Sequence, residues 1–530
     1  MTSSAKVLTS DHPGVRAAAG ELVAGLVSEP WGQVSASVYE TARLVTLAPW
    51  LNGHTARISF LLARQRTDGG WGAPDGYALV PTLSATEALL TTMARTGPAP
   101  DVAVAAHKGL RALSGWLRPG RESPLPDLPA IEIIVPALVS AINDELRTAG
   151  IDPLPLPPGM DGTLLSAVRA RLAAGAGVPK KILHCLEVAG DAARGTRQVS
   201  PVPPGTVGAS PAATAAWLGD RPADPRDPAL CYLDTVAARH GGPVPCGTPI
   251  TAFERSWVLS TLAGAGIDAA PPAYLLADLA AGLGAAGTPA GPGLPPDADT
   301  TAMVLLTLNQ SGVRRPPDPL WAYETATHFC TWPGEDGFST SVNAHVLEAF
   351  GYYTANRPDP LTRERAAVRK VARCLCEHQR ADGSWYDRWH ASAYYATVCC
   401  ALALHRYGGG ASAAAVRRAV RWVLATQRAD GSWGRWQGTA EETAYALQTL
   451  LLTGSGPDDA VDRAVARGYA YLRGVADQPD IPALWHDKDL YAPTAIVRSA
   501  VLAALHLAHR GRVVHTRAAP HVVDAHPVRR

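Results

Sequence analysis

Apolar residues recur along most of this chain with the three- and four-residue spacing of amphipathic helices. Val416, Val420 and Val423 form one such stripe, and the Ala- and Leu-rich segments 414–424 and 495–507 have the same character. Because residues at this spacing share one face of an α-helix, the pattern predicts helices packed on a common core. Strand-type alternation is nearly absent, so the sequence predicts an all-α protein.

Two loose connectors interrupt the helical pattern. Residues 199–228 are rich in Pro, Gly and Ala, and residues 271–296 form a second stretch of this kind. Such composition is typical of loops between helices. The second connector predicts a domain boundary just before the segment that begins at Pro296.

A pattern of seven residues, Gln-x-x-x-Gly-x-Trp, occurs at 65–71, 379–385 and 427–433. Each copy follows an amphipathic stretch, and its Asp-Gly tail predicts a turn that stops the helix. The Gln amide can hydrogen-bond backbone groups at a helix end while the Trp ring stacks over it. We therefore predict a structural clamp between neighbouring helix pairs at the rim of a helical barrel.

A pair of carboxylates lies at the start of another predicted helix. Asp297 and Asp299 precede the apolar run 303–306, which places both beside the first helical turn. A helix cap with an acidic first turn would account for such a pair taken alone, because it suits the helix macrodipole. The three Gln-x-x-x-Gly-x-Trp copies in the same chain favour a functional interpretation.

Together these features make the chain resemble the class II terpene cyclases, relatives of squalene-hopene cyclase that begin cyclisation by protonating an alkene. The resemblance covers roughly residues 30 to 505. Five further segments look like family segments, and they occur in the family's order: 35–42, 338–347, 383–389, 441–446 and 484–491.

The resemblance implies two α/α barrel domains, called β and γ, with γ inserted after the first helix of β. Mapped on this chain, residues 1–30 contribute that first helix, 31–285 form γ and 286–511 complete β. Residues 512–530 have little apolar content and predict a disordered tail.

No class I α domain is expected. Asp458, Asp459 and Asp462 match the Asp-Asp-x-x-Asp pattern of class I synthases, but only 68 residues follow Asp462. A solvated helix start is the simpler interpretation of this pattern. The resemblance therefore implies that the diphosphate is kept in the product.

The resemblance assigns the proton donor to Asp299. An isolated alkene is a weak base, so the donor must be a protonated carboxylic acid whose conjugate base is stabilised during transfer. The charge of Asp297 would help Asp299 hold its proton, whereas hydrogen-bond donors and the helix N-terminus would make it a stronger acid. Thr300, which stands where the usual Asp-x-Asp-Asp motif has its last Asp, could supply one donor.

Asn343 and Ser339 fall where family members place groups that hydrogen-bond the acid. They lie four residues apart, so one helical face could present both side chains. A helix cap is the alternative interpretation of Asn343.

The cation formed by protonation must be stabilised without being captured by a nucleophile. Aromatic faces do this, and each stabilises the cation by ~0.5–2 kcal/mol. Trp389, Tyr394, Tyr395 and Trp436 flank the repeat turns and are the candidates, with burial in the core as the alternative for each. The base that removes the final proton is not identifiable from the sequence.

The diphosphate needs only to be bound. Lys488 is the leading candidate and Arg498 the weaker one, with a solvated surface lysine as the alternative interpretation of Lys488. In this family Mg²⁺ usually assists diphosphate binding and is held through carboxylates and water. Glu132 is the candidate for binding Mg²⁺ directly or for contacting one of its ligands. Glu132 stands among aliphatic residues, where burying a lone acid is costly.

The Asp-x-Asp-Thr-Thr form resembles a bacterial subset that includes drimenyl diphosphate synthase. This favours farnesyl diphosphate as the substrate and a bicyclic drimane-type diphosphate as the product. The alternative is conversion of geranylgeranyl diphosphate to a labdane-type, copalyl-like diphosphate. A triterpene cyclase, a noncatalytic α/α scaffold and a protein prenyltransferase β subunit are the remaining alternatives, although no Asp, Cys and His constellation matches the zinc site of the last.

Composition excludes several other classes of protein. The 48 basic and 47 acidic side chains give a formal charge of +1, which does not suggest a nucleic-acid partner. No apolar signal core and no run of ~18 apolar residues occurs, so we expect no membrane segment and a cytoplasmic protein. The eight cysteines lack Cys-x-x-Cys spacing and are expected to be reduced. Whether the chain forms a homodimer is left open.

Overall fold

The computed structural model describes residues 13–118, 125–335, 337–359, 361–454, 458–476, 478 and 480–518. Helices dominate these residues: α1 Pro13–Ser28, α2 Val38–Leu47, α3 His54–Arg64, α4 Leu79–Thr96, α5 Pro100–Trp116, α6 Ile131–Thr148, α7 Thr163–Ala173, α8 Pro211–Leu218, α9 Pro228–Arg239, α10 Thr251–Gly264, α11 Ala273–Gly282, α12 Ala298–Gln310, α13 Thr340–Ala355, α14 Thr362–Glu377, α15 Ala393–Tyr407, α16 Ala413–Ala425, α17 Ala440–Thr453, α18 Asp459–Val475 and α19 Thr494–Ala518.

Shorter elements complete the described chain. Segments of 3₁₀-helix span Lys180–Ala193, Asp318–Tyr323 and Gly410–Ser412. Two antiparallel hairpins pair β1 (Thr288–Pro289) with β2 (Pro296–Asp297) and β3 (Trp485–His486) with β4 (Leu490–Tyr491).

Six helices form a closed inner ring in the C-terminal half. Helices α10, α12, α13, α15, α17 and α19 pack in this order, and α19 returns to α10. Helices α11, α14, α16 and α18 lie outside the ring between successive inner helices, and α1 packs on α10 and α19. Apolar side chains such as Val304, Leu347 and Leu447 fill its core.

A second ring lies in the N-terminal half. Helices α2, α4 and α6, the 3₁₀ segment Lys180–Ala193 and α8 pack in this order, and α8 closes the ring on α2. Helices α3, α5, α7 and α9 pack against this inner layer from outside. The prediction of an all-α protein built from α/α barrels is therefore confirmed.

The domain boundary expected at residue 285 needs correction. Helix α10 lies before that position, yet it closes the C-terminal ring through α12 and α19. The loose connector 271–296 holds α11 and the β1–β2 hairpin, so it runs within this ring rather than between the two rings. The C-terminal boundary also moves, because α19 continues to Ala518, past residue 511. Residues 519–530 lie outside the described chain.

The three Gln-x-x-x-Gly-x-Trp copies make the predicted clamp to backbone groups. The amide Nε2 of Gln65 donates to the carbonyl of Gly69 in its own turn and to that of Ala105 in α5, both at 2.9 Å. Gln379 and Gln427 repeat the arrangement with α16 and α18. Each Gln therefore fastens its turn to an outer helix of the next pair.

The tryptophan of each copy binds the helix that precedes its turn. Its indole N–H donates to a carbonyl in the last turn of the preceding helix: Trp71 to Leu61 at 2.7 Å, Trp385 to Leu375 at 2.8 Å and Trp433 to Val423 at 2.7 Å. Each of the three rings is fully buried, so this bond holds the indole in the core.

Among the residues that the structure describes, no helix has both the length and the apolar character needed to span a membrane.

Candidate active site

The acidic motif begins α12, as the sequence predicts. Asp297 is the N-cap residue, and its Oδ1 accepts a hydrogen bond of 2.7 Å from the backbone N–H of Thr300. Burial raises the pKa of Asp297 to about 7; the charge of Asp299 acts in the same direction, and the bond from Thr300 opposes it. Asp297 therefore gives up its proton at a much higher pH than an ordinary aspartate, next to Asp299 in the first turn.

The hydrogen-bond partner of Asp299 is a histidine that sequence reasoning missed. Nδ1 of His345, in α13, lies 2.6 Å from Oδ1 of Asp299. Burial lowers the pKa of His345, but the charge of Asp299 outweighs it, so the net pKa lies well above its usual value. His345 therefore carries two N–H groups and donates one to Asp299. The side chains are 4% and 16% exposed, so the pair is screened from most of the solvent.

Asn343 and Ser339 do not contact Asp299, which corrects the roles expected for them. The Asn343 side chain accepts from the backbone N–H of Phe329 and donates to the backbone carbonyls of Phe329 and Ser339. Ser339 is the N-cap of α13 and donates to Asp387 at 2.7 Å. Asn343 and His345 are two residues apart and therefore point to different faces of α13, and His345 is the one that contacts Asp299 in α12. The sequence signal for His345 was its position within the family-like segment 338–347.

A cavity of about 360 Å³ opens beside the acid, within the ~300–1,000 Å³ range of small-molecule sites. Both Asp297 and Asp299 line it, together with Thr300. An aromatic wall faces them, formed by Phe253, Trp332, Trp389, Tyr395, Trp485 and Tyr491. The cavity thus joins two carboxyl groups to aromatic faces of the kind that stabilise positive charge.

Of the four aromatic residues that the sequence suggested, two belong to this wall and two do not. Trp389 and Tyr395 belong to it. Tyr394 instead packs on Trp422, with ring centroids 4.6 Å apart, because the next residue of a helix points to another face. Trp436 packs against Tyr77 and donates to Asp75 at 2.8 Å, outside this cavity. The sequence therefore predicted the wall only in part.

Charged side chains mark the open side of the cavity. Lys181 pairs with Glu335, and Arg388 lies 3.2 Å from Asp127. Lys181 and Asp127 are 48% and 63% exposed, in contrast to the buried acid pair. The cavity therefore runs from a solvent-exposed mouth with two cations to the enclosed acid.

Glu132 lines the same cavity but is not buried, contrary to the expectation of a costly buried acid. It stands in the first turn of α6 with its side chain toward solvent. Among the described residues, no group of three or more His, Cys, Asp or Glu could hold a metal ion. Mg²⁺ commonly keeps its waters and takes one or two carboxylates together with substrate phosphates, and a single exposed Glu132 fits this mode.

Lys488 is fully buried, so it is not the solvated surface lysine of the alternative interpretation, and it lines the cavity. Its Nζ lies 2.8 Å from Glu40 and 3.0 Å from Glu187, and it donates to the His184 carbonyl and to Ser210. Burial lowers the pKa of Lys488, but the two carboxylates outweigh it and the net pKa is raised. Arg498 is exposed on α19 and is not among the cavity-lining residues.

Comparison with known proteins agrees with this geometry. The chain is 46% identical over 498 residues to the ent-copalyl diphosphate synthase of Streptomyces sp. (strain KO-3988), which covers 93% of this chain and 96% of that protein. The chain belongs to the class II terpene cyclases. It is accordingly an enzyme of that class.

Other proteins of the same class are similar to this chain over most of its length. The labda-7,13-dienyl diphosphate synthase of Streptomyces clavuligerus is 42% identical over 521 residues, with 92% of each chain covered. The family model of the squalene-hopene cyclase C-terminal domain matches residues 335–495. The solved structure of the ent-copalyl diphosphate synthase from Streptomyces platensis superposes with a TM-score of 0.89 and is 48% identical, covering 94% of this chain and 100% of that one.

Proposed function

We propose that this cyclase converts geranylgeranyl diphosphate into a bicyclic labdane-type, copalyl-like diphosphate. The observation that carries this proposal is the nature of its relatives: proteins 40–46% identical over 90% or more of their length are named for copalyl or labdadienyl diphosphate. The farnesyl alternative, with a drimane-type product, rests on Thr300 in place of the motif's last Asp. The relatives favour the geranylgeranyl reaction over it.

In this proposal Asp299 supplies the proton from its protonated form, in which one carboxyl oxygen carries the proton and Oδ1 still accepts the N–H of His345. The ion pair with His345 is the state left after proton transfer. Asp299 lines the cavity, and the His345 N–H at 2.6 Å is aimed at the oxygen that carries negative charge once the proton has left. A hydrogen bond that strengthens as charge develops makes the carboxylic acid a stronger donor. Asp297, buried and with its pKa raised to about 7, adds little negative charge to oppose that development.

The aromatic wall then serves the cation. Tyr395 lies beside the acid pair, with its ring centroid 6.4 Å from that of His345, and Trp485 follows 4.6 Å from Tyr395. Positive charge formed by protonation therefore meets aromatic faces at once, and each contributes ~0.5–2 kcal/mol. Lysine side chains, which would repel the cation, are held at the mouth or in the buried ion pairs.

The diphosphate is retained and binds at the charged mouth. Lys181 and Arg388 are the cations with solvent access there, so they are better placed than Lys488, whose ammonium donors are already used. Glu132 would hold Mg²⁺ through carboxylate and water. When bound, the ion neutralises phosphate charge.

A competition experiment tests the substrate. The purified protein is given equal amounts of farnesyl and geranylgeranyl diphosphate with Mg²⁺, and products are analysed by mass before and after phosphatase. We expect a cyclic twenty-carbon diphosphate in large excess, and none with Asp299→Asn. A predominant fifteen-carbon cyclic diphosphate would overturn the proposal in favour of the farnesyl reaction.

A further inference from the structure

A buried carboxylate lies behind the aromatic wall, outside the acid pair. Glu441, in the first turn of α17, is 1% exposed. Its Oε1 accepts from the indole N–H of Trp485 at 2.7 Å, from the Tyr445 hydroxyl at 3.1 Å and from Nε2 of His390 at 3.1 Å. Three hydrogen-bond donors therefore converge on one oxygen of this side chain.

The hydrogen bonds around Glu441 also assign the proton on His390. Nδ1 of His390 accepts a hydrogen bond of 3.0 Å from the backbone N–H of Ser392, so Nδ1 carries no proton. The proton is therefore on Nε2, and the ring that donates to Glu441 is neutral. All three donors to the carboxylate are uncharged groups.

No cation compensates this carboxylate among the described residues. Neither lysine nor arginine forms an ion pair with it there, and its second oxygen, Oε2, has no hydrogen-bond partner. A proton on Oε2 would create a buried donor without an acceptor, which is also unfavourable. Glu441 is thus a buried anion held by three neutral donors, an arrangement that costs stability in the resting protein.

Two rings separate this anion from the cavity. Trp485 binds it directly and lines the cavity. Tyr395, also on the cavity, stacks on His390 with centroids 4.8 Å apart and lies 4.6 Å from Trp485. Because an indole N–H that donates to an anion leaves more electron density on the ring, the face of Trp485 becomes a better partner for a cation.

We propose that Glu441 is a positioning residue that stabilises the cyclising cation through Trp485 and Tyr395. The neutral isoprenoid tail gains nothing from a buried charge, whereas the cation formed on protonation does. The uncompensated anion therefore acts mainly after proton transfer, as a fixed charge that needs no reorganisation. This inference rests on the cationic chemistry of the class and not on the chain length proposed above.

The test compares Glu441→Gln with Glu442→Gln. Glutamine keeps the size and one accepting oxygen of Glu441 but removes its charge. Glu442 is equally buried, one residue along, and binds Thr439 and the Arg435 backbone instead of the wall. Both variants are assayed for kcat and KM and for binding of two unreactive isoprenyl diphosphate analogues, one neutral and one with an ammonium nitrogen in place of the cationic carbon.

We expect Glu441→Gln to lower kcat by about 10- to 30-fold, the order of effect of removing one nearby fixed charge in a medium of effective dielectric constant about 20. KM and affinity for the neutral analogue stay within about 2-fold, whereas affinity for the ammonium analogue falls by a factor similar to that of kcat. In Glu442→Gln, the ratio of the affinities for the ammonium and neutral analogues should stay at its wild-type value. The analogues are used at both chain lengths, so the result does not depend on which substrate is correct.

Equal weakening of both analogues by Glu441→Gln, or a loss of thermal stability with the affinity ratio unchanged, would overturn the proposal in favour of a purely structural hydrogen-bond acceptor. Trp485→Phe, which removes the N–H but keeps a ring, provides a second variant if Glu441→Gln does not fold. It should lose part of the ammonium preference, and an unchanged preference would also contradict the proposal.

Discussion

At the scale of single residues, the chemistry depends on which side chains meet at the start of α12. Asp299 and His345 come from different helices, and their contact is fixed by the packing of α12 on α13. Asp299 could be predicted because its position at a helix N-terminus is legible in the local sequence. His345 could not, because the face of α13 that meets α12 depends on how the two helices cross, and the spacing equally allowed Asn343.

Replacing His345 separates its role from that of its neighbour on the helix. We expect His345→Phe to lower kcat by about 10²–10³-fold, because one donor to a developing anion is lost. Asn343→Ala should instead lower the free energy of unfolding by about 1–3 kcal/mol, since it leaves buried backbone groups unpaired. Steady-state kinetics and denaturant unfolding of both variants measure the difference. A kinetic loss confined to Asn343→Ala would contradict the assignment.

The raised pKa of Asp297 predicts a pH dependence of stability. Between the unfolded value of about 3.9 and the folded value of about 7, the native state binds a proton that the unfolded state has lost. The free energy of unfolding should therefore fall as pH rises through this window, relative to Asp297→Asn, by up to about 1.4 kcal/mol per pH unit.

Unfolding titrations of wild type and Asp297→Asn from pH 4 to 8 measure this difference. Asparagine can still cap α12, so the helix itself is preserved. Identical slopes for the two proteins would show that Asp297 is ionised throughout the range.

At the scale of elements, the helices and the clamps followed from the sequence. Period and turn residues are local signals, so the three Gln-x-x-x-Gly-x-Trp turns could be placed and their Gln contacts predicted. Glycine is required in each: Gly431 has φ of +88°, and a Cβ there would lie 2.8 Å from the Arg467 carbonyl oxygen. Which helix each turn binds was not predictable, because that depends on the order of packing around the ring.

Two glycines of α18 test the clamp at the third turn. A Cβ on Gly468 would lie 2.7 Å from Cζ3 of Trp433. Gly468→Ala should therefore lower the free energy of unfolding by about 1–3 kcal/mol, although alanine is the better helix former. Gly474→Ala, where a Cβ meets nothing within 4 Å, should leave stability unchanged or raise it by up to about 1 kcal/mol. Thermal or urea unfolding of both variants measures the difference in stability. Equal changes in the two variants would contradict tight packing of the Trp433 indole against Gly468.

At the scale of the whole molecule, a buried ion cluster joins the two rings. Lys488 comes from the loop before α19, whereas Glu40 lies in α2 and Glu187 in the 3₁₀ segment of the N-terminal ring. The sequence showed a lysine in a family-like segment but could not show its partners, which lie about 300 or more residues away along the chain. The cavity mouth is likewise assembled from distant segments, so Lys181 and Arg388 escaped sequence reasoning.

Lys488 and Lys181 provide a matched pair of variants. Lys488→Met should lower the free energy of unfolding by about 3–5 kcal/mol, because Glu40 and Glu187 stay buried without their cation. Lys181→Met removes a half-exposed pair, so stability should change by less than about 1 kcal/mol while KM for the diphosphate substrate rises. Unfolding and kinetic measurements on both variants separate the roles. A raised KM with unchanged stability for Lys488→Met would restore Lys488 as the diphosphate ligand.

The central claim is that Asp299 starts the reaction by protonation and leaves the diphosphate in place. The most direct test is turnover of geranylgeranyl diphosphate in D₂O, followed by mass analysis of the intact product and assay for inorganic pyrophosphate. A cyclic diphosphate that carries one solvent-derived deuterium, with no pyrophosphate released and no product from Asp299→Asn, is the predicted result. Release of pyrophosphate with a hydrocarbon or alcohol that contains no deuterium would contradict the account.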